Sequence, residues 1–136
     1  MLDDLHQIIA GTVLLSVIGI AYGGTFLLRV TRGQVPANDL QQRFFRAGHA
    51  HAGVLVILGL LVMLLTQQND VGQPWRTLAF GVLIAAILMP AGFFLSVLGR
   101  DPQQPGKLIV LLWAGATVLL IGLASAGLGL ILAGTN

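Results

Sequence analysis

Residues 108–136 read LIVLLWAGATVLLIGLASAGLGLILAGTN, without one charged side chain. Such a run exceeds the roughly 20 apolar residues that a helix needs to cross a ~30 Å hydrocarbon core. Three more charge-free stretches precede it, at residues 5–28, 47–69 and 77–99. Between them lie segments of turn formers and charges. The first holds Arg29, Arg32, Gly33, Pro36 and Asn38, the second reads QQNDVGQPW (residues 67–75), and the third reads GRDPQQPGK (residues 99–107). The pattern predicts an all-α, integral membrane four-helix bundle in one domain, residues 1–136, with helices near 6–28, 43–66, 77–98 and 108–132.

Composition agrees. The 136 residues are 56% hydrophobic and 9% charged, where a soluble domain carries about 25% charged residues. A chain this short has too much surface to hide that much apolar side chain within itself, so lipid is the expected surrounding. With no cysteine, disulfides, thiolate metal sites, iron–sulfur clusters and thiol catalysis are excluded. The net charge of +2 does not point to nucleic acid, because the basic residues lie in loops between apolar runs and no nucleic-acid motif is present. The start is not expected to act as a cleavable signal peptide, since it opens with Asp3 and Asp4 and its apolar run is too long.

Orientation follows from the cations. Arg29, Arg32, Arg43, Arg46, Arg100 and Lys107 flank the first and third loops, and the other side has only Arg76. The positive-inside rule therefore predicts both termini on the non-cytoplasmic side of a plasma (bacterial inner) membrane. Trp75 is placed as an interfacial anchor. Small residues recur at helical spacing: Ser16, Gly19 and Gly23 in the first helix, and Gly115, Gly122, Ala126, Gly129 and Ala133 in the fourth. Such stripes let helix backbones approach closely in lipid, either within the bundle or between protomers. The ends of helices 1 and 3, Gly24-Thr25-Phe26-Leu27 and Gly92-Phe93-Phe94-Leu95, are each followed by an arginine at the same offset. This fits either a duplicated hairpin or chance.

The segment that stands out is Phe44-Phe45-Arg46-Ala47-Gly48-His49-Ala50-His51-Ala52-Gly53. Ionisable side chains within a membrane span are costly and default to a functional reading with a named partner. Helix residues two apart point about 200° apart, so His49 and His51 serve different neighbours, or one ligates while the other hydrogen-bonds. The pair is poor for zinc and acceptable for single-histidine ligation of a flat cofactor such as haem. Ala47, Gly48, Ala50, Ala52 and Gly53 leave the helix surface nearly bare, and Arg43 and Arg46 are placed to meet haem propionates. His51 is about 7–8 Å beyond Arg46 along the axis at 1.5 Å per residue. Similar distances in the other helices reach Tyr22, Gly23 and Gly24, then Pro90, Gly92 and Phe94, then Trp113. The expected site is thus His51, His49, Arg46, Arg43, Gly53, Phe94, Tyr22 and Trp113, with His51 and His49 as candidate metal ligands. The competing expectation is that the histidines only hydrogen-bond across helices and the arginines only set topology. His6, at the outer interface, is expected to be structural. No nucleophile–base–acid constellation is visible, because every carboxylate lies in a terminus or loop.

On Arg46-Ala47-Gly48-His49-Ala50-His51-Ala52-Gly53 and Gly92-Phe93-Phe94 the chain resembles the styrene oxide isomerase family. These are four-helix membrane proteins with an Arg-Ala-His-Ser-Gly segment early in helix 2 and Gly-Phe-Tyr in helix 3. The resemblance implies a homotrimer that holds haem b between protomers. His51, followed by Ala52 and Gly53, stands at the axial-ligand position. In that family ferric haem acts as a Lewis acid that rearranges an epoxide to an aldehyde. The chain departs from the pattern at Ile57, where the family has asparagine, at Phe94, where it has tyrosine, and near Ala86 and Pro90, where it has aspartate and asparagine. These departures weigh against epoxide isomerisation more than against haem. A weaker resemblance is to the histidine-bearing helices of haem–copper oxidase subunits. Three functions are therefore expected in order: a haem b-binding membrane protein in a redox, sensing or haem-handling role; a haem Lewis-acid isomerase of the epoxide-to-aldehyde type on an unknown substrate; and a cofactor-free accessory membrane subunit, with a small apolar ligand as a further candidate partner.

Overall fold

The computed structural model describes residues 3–135. These residues form α1 (Asp4–Thr31), α2 (Asp39–Gln68), α3 (Trp75–Ala79), α4 (Gly81–Leu95), a 3₁₀ turn (Lys107–Ile109) and α5 (Val110–Gly134). With α3 and α4 taken as one span, Trp75–Leu95, four helices are long and apolar enough to cross a membrane. The chain is thus all-α, with the helix number that the hydropathy predicts.

Capping moves the ends. The Asn38 side chain accepts from the Gln41 backbone N–H, and the Gln41 side chain accepts from the Asn38 N–H. This reciprocal capping box starts α2 at Asp39 rather than near residue 43. Residues 39–42 are polar, so hydropathy alone passes over them. The third span stops at Leu95, short of the expected residue 98. There the Ser96 carbonyl accepts from Gly106 N–H at 2.6 Å and the Val97 carbonyl from Gln41 Nε2 at 3.0 Å. The carbonyls at a helix end have no partner along the helix, and these two find theirs on other segments.

Side-chain packing makes the bundle. α4 lies between α2 and α5, whereas α1 approaches only α2 at the backbone level. The small-residue stripe of α5 is used inside the chain. Gly115 faces Met89, Gly122 faces Val82, and Gly129 faces Val71 and Trp75. Gly92 answers from α4, where an added Cβ would collide with the backbone of Leu112. Such close approach stands in for the hydrophobic effect, which is missing between helices in lipid. Gly11 and Gly19 of α1 face open space instead. One core cluster joins Leu55, Val56, Ala86 and Met89, and a second joins Val62, Ala79, Val82 and Ala126. A third, aromatic cluster forms at the arginine-rich end around Val30, Phe45 and Val97.

The two ends are tied differently. At the arginine-rich end Gln41 Nε2 also donates to the Gly99 carbonyl, and Asn38 Nδ2 donates to Asp101 Oδ1 and the Pro102 carbonyl. These bonds clamp the first loop to the third. At the other end Asp3, His6, Gln67 and Arg76 form a polar cluster. His6 Nδ1–H donates to Asp3 Oδ1 at 2.5 Å, Gln67 Nε2 donates to Asp3 Oδ2 at 3.3 Å, and Arg76 Nη1 donates to Gln67 Oε1 at 3.2 Å.

Candidate functional site

The two membrane histidines are near one another in sequence and face different helices. His49 lies against α1, where Cβ atoms built on Gly23 and Gly24 would stand 3.7 Å from its Nδ1 and 3.6 Å from its Nε2. Both would be ordinary van der Waals contacts. The glycine pair thus gives the imidazole a flat seat of backbone. Among the described residues His49 makes no hydrogen bond.

His51 faces α4. Its ring centroid is 4.9 Å from that of Phe93, tilted by 39°. Its Nδ1 is 2.7 Å from the carbonyl oxygen of Ala47, one turn back along α2. A carbonyl only accepts, so Nδ1 carries a proton, and in the neutral ring Nε2 is then the nitrogen with the lone pair. That is the tautomer a histidine metal ligand uses, with its other nitrogen held by a backbone carbonyl. Beside the ring, Ala50, Val54 and Leu55 complete an open recess of about 160 Å³.

Helical phase sorts the remaining candidates. Arg43, Ala47, Ala50 and Val54 recur at i, i+4, i+7 and i+11, one stripe beside His51. Arg43 is exposed at the head of that stripe. Arg46 lies three residues before His49, on that histidine's face, and donates to Gln42 Oε1 at 3.4 Å. A Cβ on Gly53 would meet nothing. Phe94 is stacked on Phe45 with centroids 5.7 Å apart and presses on Gly48. It is a packing residue between α2 and α4, and its neighbour Phe93 is the one beside His51. Adjacent helix residues point about 100° apart, and nothing in the pair Phe93-Phe94 says which turns toward α2. Tyr22 is 77% exposed and Trp113 66% exposed, so both point away from the bundle. The side chains that the depth argument groups together therefore divide among three directions.

His6 is structural, as its place at the outer interface leads one to expect, but its partners were not read from the sequence. It is 9% exposed, hydrogen-bonded as described above, and its ring centroid is 5.5 Å from that of Phe80. The available signal was Asp3-x-x-His6, an N-cap carboxylate three residues before a side chain able to return the bond. Asp3 accepts the His6 backbone N–H at 2.9 Å. That bond first, then the bond from the His6 ring, holds the Asp3 carboxyl below its ordinary value.

No group of three or more metal-binding side chains converges among the described residues. The chain matches no protein-family model, no curated protein and no solved structure.

Proposed function

We propose that this chain is a haem b-binding multi-pass protein of the bacterial inner membrane, with His51 as axial ligand and with both termini away from the cytoplasm. Its role is electron transfer, sensing or haem handling. One observation carries the reading: the Ala47 carbonyl fixes the His51 proton on Nδ1 and leaves Nε2 as a free donor atom beside a recess lined by Ala50, Val54 and Leu55. The donor set fits. A neutral imidazole with a carbonyl behind it suits iron, and an exposed arginine, Arg43, heads the same stripe where propionates would reach water. When bound, haem supplies redox or Lewis-acid chemistry. The chain supplies the ligand, its orientation and the aromatic wall of Phe93.

The recess supports an oligomer. At about 160 Å³ it is well below the roughly 300–1,000 Å³ of a pocket that encloses its ligand. A porphyrin laid on this face needs a second surface to cover it. A neighbouring protomer provides one, in keeping with the homotrimer that the family resemblance implies.

An absorption spectrum of the purified protein tests this. A Soret band is expected that is lost in His51→Ala and retained in His6→Ala. Free imidazole should restore it in His51→Gly, where the missing ring leaves room for a substitute ligand. A colourless wild-type protein after expression with added haem precursor would overturn the reading.

A further inference from the structure

Along a groove that His51 does not line, α1 and the third span diverge. The groove between them holds about 340 Å³ and is lined by apolar side chains and Ser16. One wall is Ile9, Val13 and Ser16 of α1. The other includes Phe80, Ile84 and Ile87, and Val56 of α2 lies between. The α1 wall is a single helical stripe, and His6 stands three residues before Ile9. The other wall starts at Phe80, where α3 ends and α4 begins, and Arg76 of α3 stands four residues before it. Phe80, Ile84 and Ile87 run i, i+4, i+7 along α4, about 10 Å at 1.5 Å per residue.

Arg76 has donors to spare. A guanidinium offers five N–H groups, and this one gives a single hydrogen bond, to Gln67 Oε1. It is also the one cation of the sequence on that side. Its planar fork suits phosphate oxygens. Asp3 and Asp4 stand exposed at the same end, and the Arg76 charge acts on Asp3. A headgroup carrying both a phosphate and an ammonium satisfies both signs, whereas a purely anionic one meets the carboxylates.

From this geometry we infer that the groove between α1 and the third span is a phospholipid site, with an acyl chain along Ile84 and Ile87 and the phosphate of an ethanolamine-type headgroup on Arg76. The inference rests on the membrane reading of the four helices and is independent of haem. A bare acyl chain gains from burial alone anywhere in the bilayer, so selectivity must come from the headgroup end.

Native mass spectrometry of the full chain in detergent tests it, with palmitoyl-oleoyl phosphatidylethanolamine as probe. The comparators are the matching phosphatidylglycerol and diacylglycerol. One phosphatidylethanolamine per chain should be retained, with phosphatidylglycerol and diacylglycerol weaker by about tenfold or more, since hydrogen bonds to charged groups exceed neutral ones. Arg76→Gln should bring phosphatidylethanolamine down to the diacylglycerol level. Ile84→Trp and Ile87→Trp should lower retention of every lipid. These positions are 50% and 71% exposed, so the fold tolerates the larger ring, and unchanged helical circular dichroism verifies this. Equal retention of the three lipids, retention unaffected in both tryptophan variants, or a stable dimer that excludes lipid would overturn the site. Release of the chain from membranes by alkaline carbonate would overturn the membrane reading itself. A missing Soret band would leave the lipid result untouched.

Discussion

His51 donates from Nδ1 to the carbonyl oxygen of Ala47 at 2.7 Å, while its ring leans on Phe93 of the neighbouring helix at 4.9 Å. Two fixed points orient an imidazole within a span where an unpartnered polar ring is costly. They leave one nitrogen for a ligand.

Filling the recess should separate ligand binding from folding. Ala50 and Val54 are exposed, so Ala50→Phe or Val54→Phe adds bulk over His51 without touching the core. The expected outcome is a Soret absorbance reduced by about tenfold or more, the equivalent of 1.4 kcal/mol or above in affinity, with an unchanged melting curve. Undiminished haem content in both variants would place the cofactor elsewhere.

Glycine substitutions should divide by what stands opposite. At Gly92 a Cβ meets the backbone of Leu112, which cannot rotate away, and at Gly48 it meets Phe94 Cε2 at 2.9 Å and Phe93 Cβ at 3.0 Å. Overpacking of this kind costs about 1–3 kcal/mol, with Gly92→Ala the more severe. Gly53→Ala enters open space and gains up to about 1 kcal/mol from helix propensity. Thermal melts in detergent measure the order, and Gly92→Ala as stable as Gly53→Ala would refute the packing of α4 on α5.

The loop clamp should depend on one buried amide. Gln41 gives Nε2 hydrogen bonds to the carbonyls of Val97 and Gly99 at 3.0 and 3.1 Å. Gln41→Leu keeps the bulk and leaves the Val97 carbonyl short of a donor, at a cost of about 1–3 kcal/mol. Protease cleavage in residues 99–107 should then speed up, because the third loop keeps only its Asn38 bonds. Cleavage at the wild-type rate would show that the clamp is dispensable.

Acid should loosen the opposite end. The Asp3 carboxyl is held below its ordinary value of 3.8 by the His6 backbone and side-chain hydrogen bonds. A folded value below the unfolded one means that this stabilisation is present above pH 3.8 and is lost as pH falls through the folded value. Melting temperature should therefore hold steady from pH 7 to about 5 and decline below 3.8. Asp3→Asn, which cannot ionise, should flatten that acid decline. An equal decline in the variant would assign it to other carboxylates.

Much of this protein could be read along the chain. Charge-free runs too long for a small soluble core fix four apolar helices, because their number depends on local composition alone. The divergence of His49 and His51 was legible too, since two positions on a helix lie about 200° apart whatever surrounds them. Which helix each ring meets was not. The Gly23-Gly24 seat under His49, the choice of Phe93 over Phe94 beside His51, and the outward turn of Tyr22 and Trp113 depend on helix rotation. Rotation is set by how small residues such as Gly48, Gly92 and Gly115 interlock with side chains distant in sequence. The buried His6 cluster likewise needed Gln67 and Arg76 brought to α1 from two other segments. Local sequence carries periodicity and hydropathy, and only packing decides which stripe finds a partner and which is left for a ligand.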